Sequence, residues 1–218
     1  MKIYVVGSSK NKFLPLDNIR EKFLIDQPHE GDNIDKLNPW YCEITGLYYL
    51  WKHVDDEIIG LEHYRRYFVN DKGNLLSENE IINLLQDYDV IAHTSKQKNS
   101  KYRMYDELDI CNKNGSIRDC YYKFLCAIKY THPELMNKID EMMKRKWHWQ
   151  LNMGIMRKEI LNEYCEFAFS INKIFLEVFD IKIFPLRSLG YIFEILIWGL
   201  FLETKQLNVL DTNVKVIK

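Results

Sequence analysis

The sequence lacks an excess of charge of either sign. Its 218 residues carry 30 lysines and arginines against 31 aspartates and glutamates, which gives a formal net charge of −1 at pH 7. Proteins that bind nucleic acids depend on clustered positive charge to meet the phosphate backbone. The charge balance therefore argues against nucleic acid as a partner.

Paired cysteines and long apolar runs are lacking as well. The five cysteines include no C-x-x-C pair, and their odd number is more typical of reduced thiols in the cytoplasm than of a disulfide framework. The N-terminal segment lacks the apolar length and the cleavage site of a signal peptide. The most apolar late stretch, residues 181–202, is interrupted by charged side chains and predicts a buried helix rather than a membrane span. We expect a cytoplasmic protein, soluble or peripheral at the inner face of the membrane.

Residues 31–68 carry the densest set of structural signals. Asn38 suits a helix N-cap, Pro39 suits the first helical position, and apolar residues then recur at steps of three and four as far as Val54. The apolar segment 57–61 predicts a short buried strand. It is followed by a basic and aromatic cluster, made up of Glu62, His63, Tyr64, Arg65, Arg66 and Tyr67.

This cluster lies where ligands bind in open α/β sheets, beyond the carboxyl end of a strand. Two adjacent arginines can hold phosphate oxygens through planar, bidentate contacts, so the cluster predicts a site for an anion such as a diphosphate. The alternative is that Arg65 or Arg66 pairs with Glu62 and that the tyrosines belong to the core.

The rest of the chain alternates between strand and helix patterns. Residues 11–30 show no clean periodicity, and the polar residues 94–103 predict a loop over a site. The alternation predicts an α/β fold with a mainly parallel central sheet and extra C-terminal helices. The other predicted elements are strands at 2–6, 88–93, 147–156 and 209–217, and helices at 77–86, 117–130, 133–144, 158–179 and 189–203.

Several sequence blocks resemble a bacterial family of capsular and exopolysaccharide biosynthesis proteins. The main ones are G-D-N-I from Gly31, N-P-W-Y-C-E-I-T-G-L-Y-Y-L-W-K from Asn38 and I-G-L-E-H-Y-R-R-Y-F from Ile59. The resemblance implies a glycosyltransferase that uses a nucleotide sugar and has a single Rossmann-like domain of the GT-A type. That domain, residues 1–218, would comprise a nucleotide-sugar-binding half, a variable helical insert and an acceptor-side half, at 1–93, 94–146 and 147–218.

The resemblance also implies how the donor is held. GT-A enzymes usually neutralise the departing diphosphate with a metal on a D-x-D motif, but here Asp87-Tyr88-Asp89 precedes its strand, and Arg65 and Arg66 occupy the expected place. Arginine can stabilise a diphosphate without a metal, so we expect neither a divalent metal nor another cofactor. The further donor-binding candidates are Gly7, Ser8, Asp32, Asn33, Asn38, Glu43, His63 and Tyr64. For Glu43 the alternative is a favourable position at the helix N-terminus, and for the Asp32-Asn33 pair it is a turn.

Residues 147–154 hold the candidates for sugar binding on the acceptor side. The Asn152-x-Gly154 pattern resembles the N-x-G turn that borders the sugar in GT-A enzymes. Gly154 would let the backbone approach closely, Asn152 would hold a hydroxyl, and His148 lies beside them between two tryptophans. For the tryptophans, the alternative is an ordinary place in the core.

Glu194 is the candidate general base. It is the only acidic residue between Asp180 and Glu203 and is set in an apolar segment. Burial there would raise the pKa of the carboxyl toward that of a usable base. The alternatives are an ion pair with Arg187 or an exposed helix edge.

Together these expectations predict one function and leave two alternative functions open. We expect transfer of a hexose, galactose or galactofuranose by family analogy, from a UDP-sugar to a lipid-linked oligosaccharide at the membrane surface. The same arginines would also serve a phosphoryl-group transferase. A non-catalytic anion- or glycan-binding protein of the same pathway is the third alternative.

Overall fold

The computed structural model of the chain describes residues 1–95 and 101–217, and within them a sheet of eight strands forms the centre. The strands are β1 (Lys2–Gly7), β2 (Arg20–Leu24), β3 (Ile58–His63), β4 (Arg66–Val69), β5 (Val90–Ala92), β6 (Gly154–Arg157), β7 (Val209–Asp211) and β8 (Asn213–Val216). Their order is β2-β1-β3-β6-β5-β7, and β4 joins β3 to β8. Part of the predicted loop over the site, residues 96–100, lies outside the described residues.

The predicted α/β class is confirmed, but the sheet is mixed instead of mainly parallel. Strand β1 runs parallel to β2 and β3, and β5 runs parallel to β7. Strand β6 runs antiparallel to both of its neighbours, β3 and β5. The helices between β5 and β6 cause this reversal, because they return the chain to the edge of the sheet where β3 ends. The start of β6 therefore lies beside the carboxyl ends of β1 and β3.

Helices cover the sheet and follow most of the predicted positions. They are α1 (Asn38–Tyr41), α2 (Glu43–His53), α3 (Glu78–Asp87), α4 (Met104–Ile110), α5 (Arg118–Thr131), α6 (Met136–Met143), α7 (Lys158–Val178), α8 (Ser188–Ile192) and α9 (Trp198–Thr204), with a π-helical turn at Phe193–Ile197 between the last two. No helix in the described ranges is long and apolar enough to cross a membrane.

Two predicted elements differ from the structure for reasons of backbone conformation. The helix expected from Asn38 to Val54 is broken at Cys42, whose φ is 53°, and α2 begins afresh at Glu43. The strand expected at 147–156 is reduced to β6, because the residues before it include a left-handed turn. Both breaks lie at the same edge of the sheet and shape the site described below.

Strands β2 and β4 and helix α4 have no counterpart among the predicted elements. The single strand expected at 209–217 is divided into β7, which pairs with β5, and β8, which pairs with β4. The β2 segment, R-E-K-F-L, is mostly charged and has only two buried residues, so it lacks the apolar pattern of a strand. It forms because β1 offers it a parallel partner at the edge of the sheet. Helix α4 is only seven residues long, too short to show a clear period.

Candidate active site

The carboxyl ends of β1 and β3, the turn before β6 and the N-terminus of α2 border a cavity of about 370 Å³. Most predicted site residues line it, namely Gly7, Ser8, Glu43, His63, Tyr64, Arg65, Arg66 and Glu194. Residues that sequence reasoning did not place there also line it, including Asn11, Cys42, Leu151, Arg187 and Tyr191. The cavity thus brings together parts of the chain that are far apart in sequence.

Three arginines face the cavity. Arg65 is exposed, with its guanidinium 5.6 Å from the centre of the Tyr64 ring, and Arg66 is half-buried beside it. Arg187 precedes α8 in a left-handed conformation, with φ 69°, and its guanidinium lies 5.2 Å from the centre of the Tyr191 ring. Within the described parts of the chain, no carboxylate lies within 4.0 Å of these three guanidinium groups. Their charge is therefore available to an anionic ligand.

Glu62 does not neutralise Arg65 or Arg66, so that part of the alternative is wrong, whereas Tyr67 is fully buried and does belong to the core. Successive strand residues point to opposite faces of the sheet, and Glu62 points away from the cavity that His63 lines. There it meets Arg20, with Nε to Oε2 at 2.9 Å and Nη2 to Oε1 at 3.2 Å. The amide of Phe68 donates a further hydrogen bond of 2.9 Å to Glu62. This buried pair belongs to the structural core.

Glu194 lies in the π-helical turn between α8 and α9 and opens into the cavity. Burial, followed by the nearby charge of Glu43, raises the pKa of its carboxyl to about 7. A backbone hydrogen bond from Leu151 and the charge of Arg66 oppose this rise. Arg187 lies beyond ion-pair distance, so the predicted alternative of a Glu194–Arg187 pair is excluded. The group is half ionised near neutral pH, which suits a proton acceptor.

Glu43 is the second carboxyl group in the cavity. Burial raises the pKa of this carboxyl, and a hydrogen bond from Asn152 opposes the rise. The amide of Asn152 donates to Oε1 of Glu43 at 2.9 Å and to the carbonyl of Gly190 at 3.2 Å. Asn152 does not line the cavity itself, so its visible contact with the site is through Glu43.

His63 is buried at the end of β3 and stays neutral. Burial, together with the charges of Arg66 and Arg65, lowers the pKa of its ring to about 3. One ring nitrogen donates to the carbonyl of Leu151, while Nε2 is buried and has no hydrogen-bond partner in the described structure. His63 is therefore neutral near pH 7 when the cavity holds no anion, and its role in donor binding stays a prediction.

A two-residue turn links these three side chains. Leu151 and Asn152 both adopt left-handed conformations, with φ of 76° and 50°. The backbone of Leu151 bonds to Glu194 and His63, and the side chain of Asn152 bonds to Glu43. Left-handed backbone is costly for residues other than glycine, and such strain is concentrated at functional sites.

The structure places three donor-binding candidates outside the cavity. Asp32 accepts a hydrogen bond of 2.9 Å from the Tyr48 hydroxyl, and the amide of Asn33 bonds to backbone carbonyls of its own turn. Asn38 is the first residue of α1 instead of its N-cap, because its backbone is already helical, and its side-chain amide donates to the carbonyl of Ile25 at 2.9 Å. Their donor contacts stay predictions, and these local bonds do not favour them.

Two acceptor-side candidates also lie away from the cavity lining. His148 is buried, and its Nδ1 lies 3.8 Å from the Glu107 carboxylate. Gly154 begins β6, where an added Cβ would lie 2.8 Å from the Met156 side chain and 3.0 Å from that of Trp198. The glycine therefore serves close packing, and a role in sugar binding stays a prediction for both residues.

The D-x-D sequence lies elsewhere in the fold. The Asp89 carboxylate accepts a hydrogen bond of 2.8 Å from the backbone of Asn208, next to the end of α3. Across residues 1–95 and 101–217, no three histidine, cysteine or acidic side chains are grouped so that they could hold a metal ion. Glu43 and Glu194 are the carboxyl groups that line the cavity.

Comparison with known proteins adds a family and a fold. A family model described as "Domain of unknown function (DUF4422)" matches residues 2–206. None of the curated proteins matches the chain. A solved structure titled as the apo form of the WbbM bifunctional glycosyltransferase is similar to the chain, with a TM-score of 0.79 and 23% identity, over 100% of this chain and 45% of that one. The chain thus spans less than half of that protein, and the likeness shows a shared fold, consistent with the predicted GT-A-like Rossmann type.

Proposed function

We propose that this chain, which belongs to the DUF4422 family, is a glycosyltransferase that moves a hexose from a UDP-sugar to a glycan acceptor. The main support is the cavity itself, which places unpaired positive charge beside a carboxyl group that can accept a proton. The fold shared with a glycosyltransferase agrees with this reading. We further propose galactose or galactofuranose as the hexose and a lipid-linked oligosaccharide of capsule or exopolysaccharide synthesis as the acceptor, met at the cytoplasmic face of the membrane.

In this proposal the arginines bind the diphosphate and stabilise its departure. As the bond between the anomeric carbon and the diphosphate oxygen breaks, negative charge accumulates on UDP. Arg65 and Arg66, at the end of β3, and Arg187, before α8, can each donate two parallel hydrogen bonds to phosphate oxygens. The sheet edge at Gly7 and Ser8 would accept the nucleotide, because both residues line the cavity.

Glu194 would act as the general base in a single inverting displacement. The acceptor hydroxyl attacks the anomeric carbon, its proton passes to the Glu194 carboxylate, and the diphosphate leaves from the opposite side. Burial supports this role because it raises the pKa of Glu194 to about 7. Glu43 and Asn152 would tune that pKa, because the charge of Glu43 is one of the causes that raise it.

The proposal is tested by a donor screen that measures UDP release from UDP-hexoses, with a bacterial membrane extract as acceptor. We expect acceptor-dependent release of UDP from one UDP-hexose. We also expect this activity to persist in excess chelator, because arginines are placed to neutralise the diphosphate. If activity is lost in chelator and returns with manganese or magnesium, the proposal that catalysis needs no divalent metal is wrong. No release from any UDP-hexose would contradict the donor class.

Replacing Asn152 with glycine is expected to shift the acid limb of the pH–rate profile to lower pH. The amide of Asn152 stabilises ionised Glu43, so its loss raises the pKa of Glu43 and removes negative charge near Glu194 at neutral pH. Because that charge helps to raise the pKa of Glu194, the pKa falls in the variant. The measurement is kcat/KM from pH 5 to 9.

Gln206→Gly is the matched control, since Gln206 also has a left-handed backbone, with φ 54°, but lies outside the cavity. It adds the same backbone freedom without removing a contact to the site. Identical pH profiles for both glycine variants would show that Asn152 does not act through Glu43.

The two alternative functions, phosphoryl transfer and non-catalytic binding, use the same arginines. A non-catalytic protein gives no reason for a carboxyl group with a pKa near neutrality in the same cavity. A phosphoryl-group transferase would use that carboxyl as a base too, and the fold shared with a glycosyltransferase favours glycosyl transfer over it.

A further inference from the structure

A second cavity, of about 470 Å³, lies between α4, α5 and α6. Its volume is in the range of small-ligand sites, about 300–1,000 Å³. We call it the tyrosine groove, because Tyr105, Tyr121 and Tyr122 form one wall. Leucine, isoleucine and methionine side chains of α5 and α6 form much of the rest of its lining.

The three tyrosines form a fixed aromatic surface. The rings of Tyr121 and Tyr122 are 5.5 Å apart at 61°, and those of Tyr105 and Tyr121 are 6.4 Å apart at 82°. The guanidinium of Arg118 packs 3.9 Å from the centre of the Tyr105 ring, and the hydroxyls of Tyr105 and Tyr122 contact each other. Tyr121 is nearly buried, while Tyr122 is 47% exposed and remains reachable by a ligand.

The rim of the groove carries no net charge. On one side stand Arg103 and Asp106, and on the other Lys144 and Asp140, whose Nζ and Oδ2 are 2.5 Å apart. A rim that pairs cations with carboxylates does not favour an anion such as a diphosphate, unlike the cavity with three arginines. Burying a lipid chain there would cover these polar groups without giving them partners. A pyranose is a neutral molecule with one apolar face and many hydroxyls. Its apolar face can stack on the tyrosine rings, and its hydroxyls can form hydrogen bonds with the charged side chains of the rim.

Helix α4 connects the tyrosine groove to the candidate active site. Tyr105 and Asp106 line the groove, whereas Glu107 and Cys111 lie close enough to Glu194 for their charges to affect one another. A helix with its side chains is about 10–12 Å across, a distance that a short oligosaccharide spans. A short oligosaccharide is therefore long enough to reach from the groove across α4 toward Glu194.

We propose that the tyrosine groove is a glycan-binding subsite that holds a pyranose of the acceptor at a distance from the sugar being extended. The role as an acceptor subsite rests on the proposed glycosyltransferase function, but sugar binding to the groove can be measured without any turnover. The ring of Tyr122 provides the accessible stacking face, and Asp106 and Asp140 accept hydrogen bonds from sugar hydroxyls.

Saturation-transfer NMR with lactose, methyl β-D-galactopyranoside and methyl β-D-glucopyranoside tests the binding. We expect at least one of these sugars to bind, and Tyr122→Ala to weaken its binding about tenfold, the upper range for loss of an aromatic contact. Tyr130→Ala is the matched control, since Tyr130 is 78% exposed on the same helix and does not line the groove. A second pair is Asp140→Asn against Asp119→Asn, because both aspartates form ion pairs with a lysine four residues later.

The outcomes separate this inference from the proposed function. Binding that depends on Tyr122 and persists in Glu194→Gln supports the groove even where no UDP-sugar is turned over. In the transfer assay, Tyr122→Ala should raise the KM for the acceptor and leave the KM for the UDP-sugar unchanged. Absence of binding by all three sugars, equal binding by Tyr122→Ala and Tyr130→Ala, or displacement of the sugar by geranyl phosphate would overturn it. If Tyr122→Ala catalyses transfer with an unchanged KM for the acceptor, the groove is not a glycan-binding subsite, but the proposed transferase function still stands.

Discussion

Glu194→Gln is expected to lower turnover by about a hundredfold or more and to leave UDP binding unchanged. Glutamine keeps the size of the side chain and can still accept the backbone hydrogen bond from Leu151, but it cannot take a proton from the acceptor. In the parent, kcat/KM should rise with pH through about 7, because the ionised form of Glu194 is the active one. The residual activity of the variant should lack that rise.

The variants Glu107→Gln and Glu43→Gln test whether another carboxyl group, instead of Glu194, is the general base. Glu107 contributes charge near Glu194, and Glu43 shares the cavity, so each variant should shift the pH profile while keeping most of the turnover. A hundredfold loss in either of them, with Glu194→Gln active, would move the general base to that residue.

The double variant Arg65→Lys, Arg66→Lys is expected to lower turnover by on the order of a hundredfold, within the range for loss of a group that stabilises transition-state charge. Lysine keeps the charge but loses the planar fork that binds two phosphate oxygens at once. Because the structure gives neither arginine a carboxylate partner, the loss should appear in UDP affinity and turnover and not in folding stability.

Arg118→Lys is the matched control for the arginine variants. Arg118 is also a surface guanidinium next to a tyrosine ring, but it pairs with Asp109 outside the cavity. The control should bind UDP as tightly as the parent and keep the parent's KM for the UDP-sugar. Lysine variants of Arg65 and Arg66 that behave in the same way would show that the diphosphate binds elsewhere.

The parts of the site at the ends of β1 and β3 could be predicted from the sequence. Gly7 and the segment from His63 to Arg66 directly follow apolar runs, so local pattern places them at the carboxyl edge of the sheet. Glu194 is predictable because a lone carboxylate in an apolar segment has few structural explanations. These predictions depend only on residues that are adjacent in sequence, so they do not require knowledge of contacts between distant parts of the chain.

The rest of the site depends on contacts that no local pattern contains. Arg187 reaches the cavity because its left-handed backbone and the bond from its amide to Pro39 fix the start of α8. Asn152 turns toward Glu43 because two successive residues adopt positive φ, a conformation that asparagine tolerates but that nothing about Leu151 predicts. The reversed direction of β6 likewise follows from the path of α4–α6 and not from its own residues.

The most direct test of the central claim is calorimetric titration of the chain with UDP, UMP and inorganic phosphate. If the arginines hold the diphosphate of a nucleotide sugar, UDP should bind much more tightly than either UMP or phosphate, and the preference for UDP over UMP should disappear in the double lysine variant. Equal affinity for UDP and phosphate, or a UDP affinity that the lysine substitutions do not change, would contradict the account.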